Sequence, residues 1–214
     1  MGVIAPSVTA YSPDEYRQQM EKVAKFAERI HIDLMDGQFT KERNITPDEA
    51  WWPVGVKADF HLMYKNPHQA AEIILEHRPN MIIAHSESSG SFSSLAAMCR
   101  RAGVRVGIAL LPHTPPEAIL PALPEIDHVL IFSGDLGSFG GRANFDLLNK
   151  IDILRHHKPD LEIGWDGGVS QQNISQLSFG GVDVFDVGGF IQQAEDPEKA
   201  FHILARIADE TGTT

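Results

Sequence analysis

The sequence has a single cysteine, Cys99, in 214 residues. That excludes an internal disulfide and suits a reducing compartment. Positive charge is also scarce: 18 Lys and Arg stand against 29 Asp and Glu, a formal net charge of −11 at pH 7. Nucleic acid and anionic membrane surfaces are bound by clustered Lys and Arg, so this balance argues against both as partners. No run approaches the roughly 18 apolar residues that span a bilayer. The opening Met1-Gly-Val-Ile-Ala-Pro6 carries no basic segment of the kind that begins a secretion signal. No linker, low-complexity tract or block of like charge divides the chain. A cytoplasmic, soluble protein with one domain over residues 1–214 is the expectation.

What is present is regular. Short β-like runs recur at Val3–Val8, Arg29–Leu34, Ala58–Met63, Met81–His85, Val104–Leu111, His128–Phe132, Leu161–Trp165 and Val182–Val187. Stretches of helical character separate them, at Pro13–Glu28, Asn66–His77, Ser91–Ala102, Pro115–Leu123, Phe145–His156 and Gln171–Phe179, with Asp196–Thr211 at the end. Pro13, Pro67 and Pro197 fall near helix starts, where a missing N–H costs nothing. Strands alternating with helices imply parallel pairing through right-handed crossovers. Eight such units in 214 residues are the arithmetic of an α/β fold of the closed (β/α)8, or TIM, barrel type. A doubly wound open sheet would want a glycine-rich nucleotide fingerprint after an early strand, and none is present. Two connections are long: Gly37–Val54 after the second run, and the glycine-rich Ser133–Asn144 after the sixth, which reads as a functional loop.

In such a barrel the chemistry sits at the C-terminal ends of the strands. Ser7 ends the first run and His85 the fourth, and Asp166-Gly167-Gly168 follows the seventh. The two-residue period of a strand places His31, Asp33 and Met35 on one face of the second run, and Asp59, His61 and Met63 on one face of the third. Facing inward, two imidazoles and two carboxylates converge near one mouth as a cage for a divalent cation. Mixed nitrogen and oxygen donors suit Zn²⁺, Fe²⁺, Mn²⁺ or Co²⁺ better than Ca²⁺.

These segments resemble the ribulose-phosphate 3-epimerase family over nearly the whole chain. The likeness is carried by Ile4-Ala-Pro-Ser7, His31-Ile-Asp-Leu-Met-Asp-Gly-Gln-Phe39, Asn44-Ile-Thr46, Asp59-Phe-His-Leu-Met63, His85, Phe139-Gly-Gly141 and Asp166-Gly-Gly-Val169. The resemblance implies that His31, Asp33, His61 and Asp166 bind one divalent metal cation, and that Asp33 and Asp166 are also the catalytic acid/base pair. Ser7 would hydrogen-bond a phosphorylated ketose, Met35 and Met63 would pack over its reacting carbons, and His85 is a further candidate contact. Phosphate is expected among Gly167 and Gly168, Gly188 and Gly189 after the last two strands, with Gly140 and Gly141 completing the cradle. The resemblance also suggests a homo-oligomer.

The chain departs from the family pattern in places. The loop after the sixth strand is lengthened, lacks a proline, and has Phe132 where the family has methionine. Gly189 stands where the family often has serine, and Asp186 is an unexpected carboxylate near an anion site. Arg142 reads either as a bidentate phosphate contact or as a solvated loop residue. The expected activity is interconversion of D-ribulose 5-phosphate and D-xylulose 5-phosphate, with a hexulose 6-phosphate as the alternative substrate. A lyase would want a positioned lysine at a strand end, and a non-catalytic phosphosugar-binding barrel would have lost a carboxylate or ligand. Neither feature is found. The sequon Asn44-Ile-Thr46 reads as loop structure near the site.

Overall fold

The computed structural model describes residues 2–134, 136 and 141–211. Eight parallel strands close into a barrel in sequence order. They are β1 (Val3–Val8), β2 (Arg29–Met35), β3 (Lys57–Met63), β4 (Met81–His85), β5 (Arg105–Leu110), β6 (His128–Phe132), β7 (Glu162–Asp166) and β8 (Val184–Val187). The helices around them are α1 (Pro13–Val23), α2 (His68–Leu75), α3 (Phe92–Ala102), α4 (Asn149–His157), α5 (Ile174–Phe179), α6 (Gly189–Gln192) and α7 (Pro197–Thr211). Among the described residues no helix is long and apolar enough to cross a membrane.

Local chemistry sets the helix ends. Ser12 caps α1 by accepting from the Glu15 N–H at 3.2 Å, with Pro13 in the first turn. Ser91 caps α3 in the same way, and Gly103 closes it in a left-handed conformation. The stretch expected as a helix over Pro115–Leu123 is instead a 3₁₀ segment, Pro116–Glu125. Pro121 and Pro124 inside it have no N–H to donate and clash with the preceding turn, so an α-helix cannot propagate. A single helical turn directly after β8, α6, has no counterpart among the helical stretches expected from periodicity.

Most of the core lies between barrel and helices, where Phe60, Trp165 and Phe185 are fully buried. Inside the barrel, Met81, Ile83, Ala109 and Leu130 form a small apolar cluster. At the N-terminal end of the strands a polar network closes the floor. Arg29 Nε donates to Asp59 Oδ2 at 2.5 Å, and Arg29 Nη2 to Glu162 Oε1 at 2.8 Å. His128 Nδ1 lies 2.8 Å from the same Glu162 oxygen. Asp59 is thus not part of the mouth. It points inward as its strand period requires, but two residues nearer the strand's start than His61, where Arg29 neutralises it. The cage read from spacing is corrected at that position.

Register fixes the levels at the mouth. Ser7 pairs with His31, Asp33 with His61, Met35 with Met63, and Asp166 with Asp186.

Candidate active site

Four side chains from three strands meet at the C-terminal mouth: His31 and Asp33 from β2, His61 from β3 and Asp166 from β7. One ligand atom from each lies within 4.8 Å of all the others. Asp33 Oδ1 is at the centre, 3.2 Å from His31 Nε2 and 2.9 Å from His61 Nδ1. His61 Nδ1 is 3.7 Å from Asp166 Oδ2. Two imidazole nitrogens and two carboxylate oxygens converging from three buried positions and the half-buried Asp166 are a fitting donor set for one divalent cation.

Electrostatics separates the two acids. Burial works against a charge on Asp33, but His31 and His61 outweigh it and hold the carboxyl well below the usual range. Asp166 moves the other way: burial, then the charges of Asp33 and Asp186, push it well above. Burial opposes a positive charge on His31 as well, yet Asp186 and Asp33 keep its imidazole above the ordinary value. His61 is lowered to about 4, chiefly by burial, and so is neutral near pH 7.

Above the cluster opens a cavity of about 700 Å³, within the usual range for small-molecule sites. Ser7, Met35 and Met63 line it, as do Gly141, Gly167, Gly168, Gly188 and Gly189. Ser7 Oγ is buried without a hydrogen-bond partner. Gly140 lies outside the described residues. Gly167 and Gly168 have φ of 114° and 71°, and a Cβ on either would run into the backbone of Gly134 or of Arg142 and Ala143. The β7 turn therefore packs directly under the loop after β6, and only glycine fits at both positions. Trp165 Nε1 and Asn173 Nδ2 pin that turn by donating to the carbonyls of Gly167 and Gly168, at 3.0 and 2.7 Å.

His85 is not among the residues lining this cavity. It stands behind His61, with the two Nε2 atoms 2.8 Å apart, and its own Nδ1 is 3.4 Å from Glu87 Oε2. β4 ends at His85, and the ring turns sideways toward β3, between Phe39 and Phe132. In this structure it therefore supports His61.

Two further residues of the site, Thr9 and Glu87, were not apparent from the sequence. Thr9 Oγ1 donates to Asp33 Oδ2 at 2.5 Å. Its position two residues after Ser7 was the available signal. Glu87, two residues past His85, carried a similar one. Asn44 Oδ1 accepts from the Met35 N–H, and Asn44 Nδ2 donates to the Asp33 carbonyl, both at 2.7 Å. This buried amide ties the long second loop to the end of β2, in keeping with a structural reading of that sequon. Asp36 holds the same region by accepting from the backbone N–H groups of Gln38, Phe39 and Lys65.

An apolar barrel that gathers titratable side chains at its C-terminal mouth, under an open cavity, is an enzyme's arrangement. The chain belongs to the ribulose-phosphate 3-epimerase family, whose model matches residues 3–191. A ribulose-phosphate 3-epimerase from Helicobacter pylori is 29% identical over 212 residues, covering 95% of this chain and 97% of that protein. One from Mycobacterium tuberculosis is 31% identical over 214 residues, covering 96% and 93%. The class is that of the isomerases. Among solved structures, 3-hexulose-6-phosphate synthase from Salmonella typhimurium superposes with a TM-score of 0.73 at 15% identity, covering 98% of this chain and 99% of that one. KGPDC from Streptococcus mutans gives 0.69 at 10% identity, covering 99% of each chain. At such identities the likeness is one of fold.

Proposed function

We propose that the protein is a metal-dependent ketose-phosphate 3-epimerase that interconverts D-ribulose 5-phosphate and D-xylulose 5-phosphate. The observation that carries the reading is the convergence of His31, Asp33, His61 and Asp166, with ligand atoms within 4.8 Å of one another, at the floor of the cavity. Inverting a carbon beside a ketone requires a proton taken from one face and another delivered to the opposite face. Asp33 reaches the mouth from β2 and Asp166 from β7, so they approach a bound sugar from different directions. Asp33, its carboxyl held low by His31 and His61, is suited to accept the proton, and Asp166, its carboxyl pushed up by burial and by Asp33, to deliver one. In the reverse direction the roles exchange.

The intermediate is an enediolate, with negative charge on the C2 and C3 oxygens. A divalent cation held by the four residues supplies the countercharge for those oxygens. Zn²⁺, Fe²⁺, Mn²⁺ and Co²⁺ all match the donor set. His61, neutral near pH 7, has a lone pair free for that role. Thr9 restrains Asp33 from behind. Met35 and Met63, level in register on adjacent strands, present a polarizable wall that keeps water from the reacting carbons. The unpartnered Ser7 Oγ supplies a hydrogen bond to substrate, and the glycines after β7 and β8 supply backbone N–H groups for the phosphate.

A longer sugar is the second reading, favoured by the extent of the cavity, which Arg142 and Gln193 help to line. Among the described lining residues none is a lysine, which speaks against Schiff-base chemistry. Assembly as a homo-oligomer and a cytoplasmic location belong to the same proposal. The buried Cys99, its thiol pushed up to about 12 by burial, is consistent with a reducing compartment.

The test is a panel of five- and six-carbon ketose phosphates, assayed with metal-stripped and metal-restored enzyme. Epimerisation of ribulose 5-phosphate that returns with the metal is expected. Turnover of only a six-carbon substrate would shift the reading to the second sugar. Carbon–carbon cleavage, or binding without turnover, would overturn it.

A further inference from the structure

Of the acidic side chains lining the cavity, Asp186 is the one outside the four-residue cluster. It stands on β8, in register with Asp166 on one side and Ala5 on the other. The residue is 3% exposed, and neither of its carboxylate oxygens has a hydrogen-bond partner. Buried carboxylates without partners are costly, so the position calls for a cause. Both oxygens are themselves buried. What they face is His31: Asp186 Oδ1 lies 3.3 Å from His31 Nδ1. That nitrogen is also fully buried and unpartnered. The two groups are within hydrogen-bond distance, and only alignment is missing.

His31 therefore has one ring nitrogen toward the cluster, with Nε2 at 3.2 Å from Asp33 Oδ1, and the other toward Asp186. A carboxylate behind a metal-binding imidazole fixes the tautomer and the ring's direction and makes the facing nitrogen a stronger donor. The two histidines are backed differently. His61 leans on His85, which in turn meets Glu87, whereas His31 has a carboxylate directly behind it.

We propose that Asp186 is a positioning residue: it holds His31 as the Nδ1–H tautomer, leaving the Nε2 lone pair to the divalent cation, and its hydrogen bond to Nδ1 aligns when the cation is in place. This rests on the metal site of the proposed function and adds a residue to it.

The test is titration of the metal-stripped full chain with Co²⁺, following the visible absorption that reports coordination, in wild type, Asp186→Asn and Asp186→Leu. Wild type is expected to take up one ion per chain. Leu removes the acceptor, and Co²⁺ affinity should fall about 10–100-fold. Asn keeps an acceptor without the charge and should fall between the two. Thermal unfolding with and without Co²⁺ separates this from a merely structural role: the rise in melting temperature that Co²⁺ gives should be smaller in Asp186→Leu than in wild type, whereas a merely structural role lowers both melting temperatures equally. Wild type and both variants binding Co²⁺ alike would overturn the role of Asp186 and leave the metal site standing. Wild type taking up no Co²⁺ would overturn both. If the Leu variant fails to fold, wild-type affinity in Asp186→Asn is the overturning result.

Discussion

The Nε2 atoms of His61 and His85 lie 2.8 Å apart, so one imidazole of the site is braced by another from the next strand. One ring must donate and the other accept. With His61 Nδ1 turned toward Asp33, the pair sets which His61 nitrogen carries the proton. Replacing His85 by Phe keeps a ring between Phe39 and Phe132 but removes both nitrogens. The expected result is a loss of about 10–100-fold in kcat/KM, with the far-ultraviolet dichroism unchanged. Steady-state kinetics of His85→Phe near the wild-type rate would show that the brace has no part in the site.

Gly164 faces His128 across the barrel floor. A Cβ at Gly164 would stand 2.5 Å from His128 Nε2 and 3.0 Å from Leu130 Cδ1. His128 is held by Glu162 and is 1% exposed, so it cannot swing away. Gly164→Ala should therefore cost about 1–3 kcal/mol through overpacking. For a chain of this size that lowers the melting temperature by about 2–4 °C per kcal/mol. Calorimetry measures it, and an unchanged melting temperature would mean that the floor yields more easily than its packing indicates.

The same floor gives stability a pH dependence. Burial opposes a charge on Glu162, but hydrogen bonds from His128 and Arg29 hold its carboxyl far below the ordinary value of 4.5. Glu87 is held at about 2, where His85 and Thr114 outweigh the effect of burial. A carboxyl depressed on folding adds stability above its unfolded value and loses it as pH falls through the folded one. His61, lowered from 6.5 to about 4, acts with the same sign between those limits. His31, held above 6.5, acts with the opposite sign: its contribution is present below that value and is lost as pH rises. Urea midpoints of the metal-free protein should therefore fall from about pH 4.5 toward pH 2, and Glu162→Gln should flatten that acid limb. An acid limb as steep in Glu162→Gln as in wild type would contradict the assignment.

The barrel was legible because its strands are short apolar runs with turn-forming and helical residues between them. The strand period also assigned the correct faces to His31, Asp33 and His61. Period two gives a face and not a depth, and Asp59 shows the cost: it shares a face with His61 yet belongs to the floor, where Arg29 meets it. Nor does spacing say which neighbour a side chain leans on. A place at a strand's end suggests that His85 faces substrate, whereas its turn toward His61 depends on packing between Phe39 and Phe132. Asp186 stood out as an unexpected carboxylate, but its partner, His31, lies on the far side of β1 and more than a hundred residues away in sequence. Proline content alone should have marked Pro116–Glu125 as unable to form an α-helix.

The two carboxylates are the centre of the account, and exchange of the substrate's C3 proton with solvent measures them most directly. Ribulose 5-phosphate is incubated in deuterium oxide with metal-loaded wild type, Asp33→Asn or Asp166→Asn, and followed by proton magnetic resonance. Wild type should replace the C3 proton with deuterium as xylulose 5-phosphate forms, and each variant should lose turnover by about 10²–10⁴-fold. No exchange in wild type, or either variant turning over at the wild-type rate, would contradict the two-carboxylate mechanism.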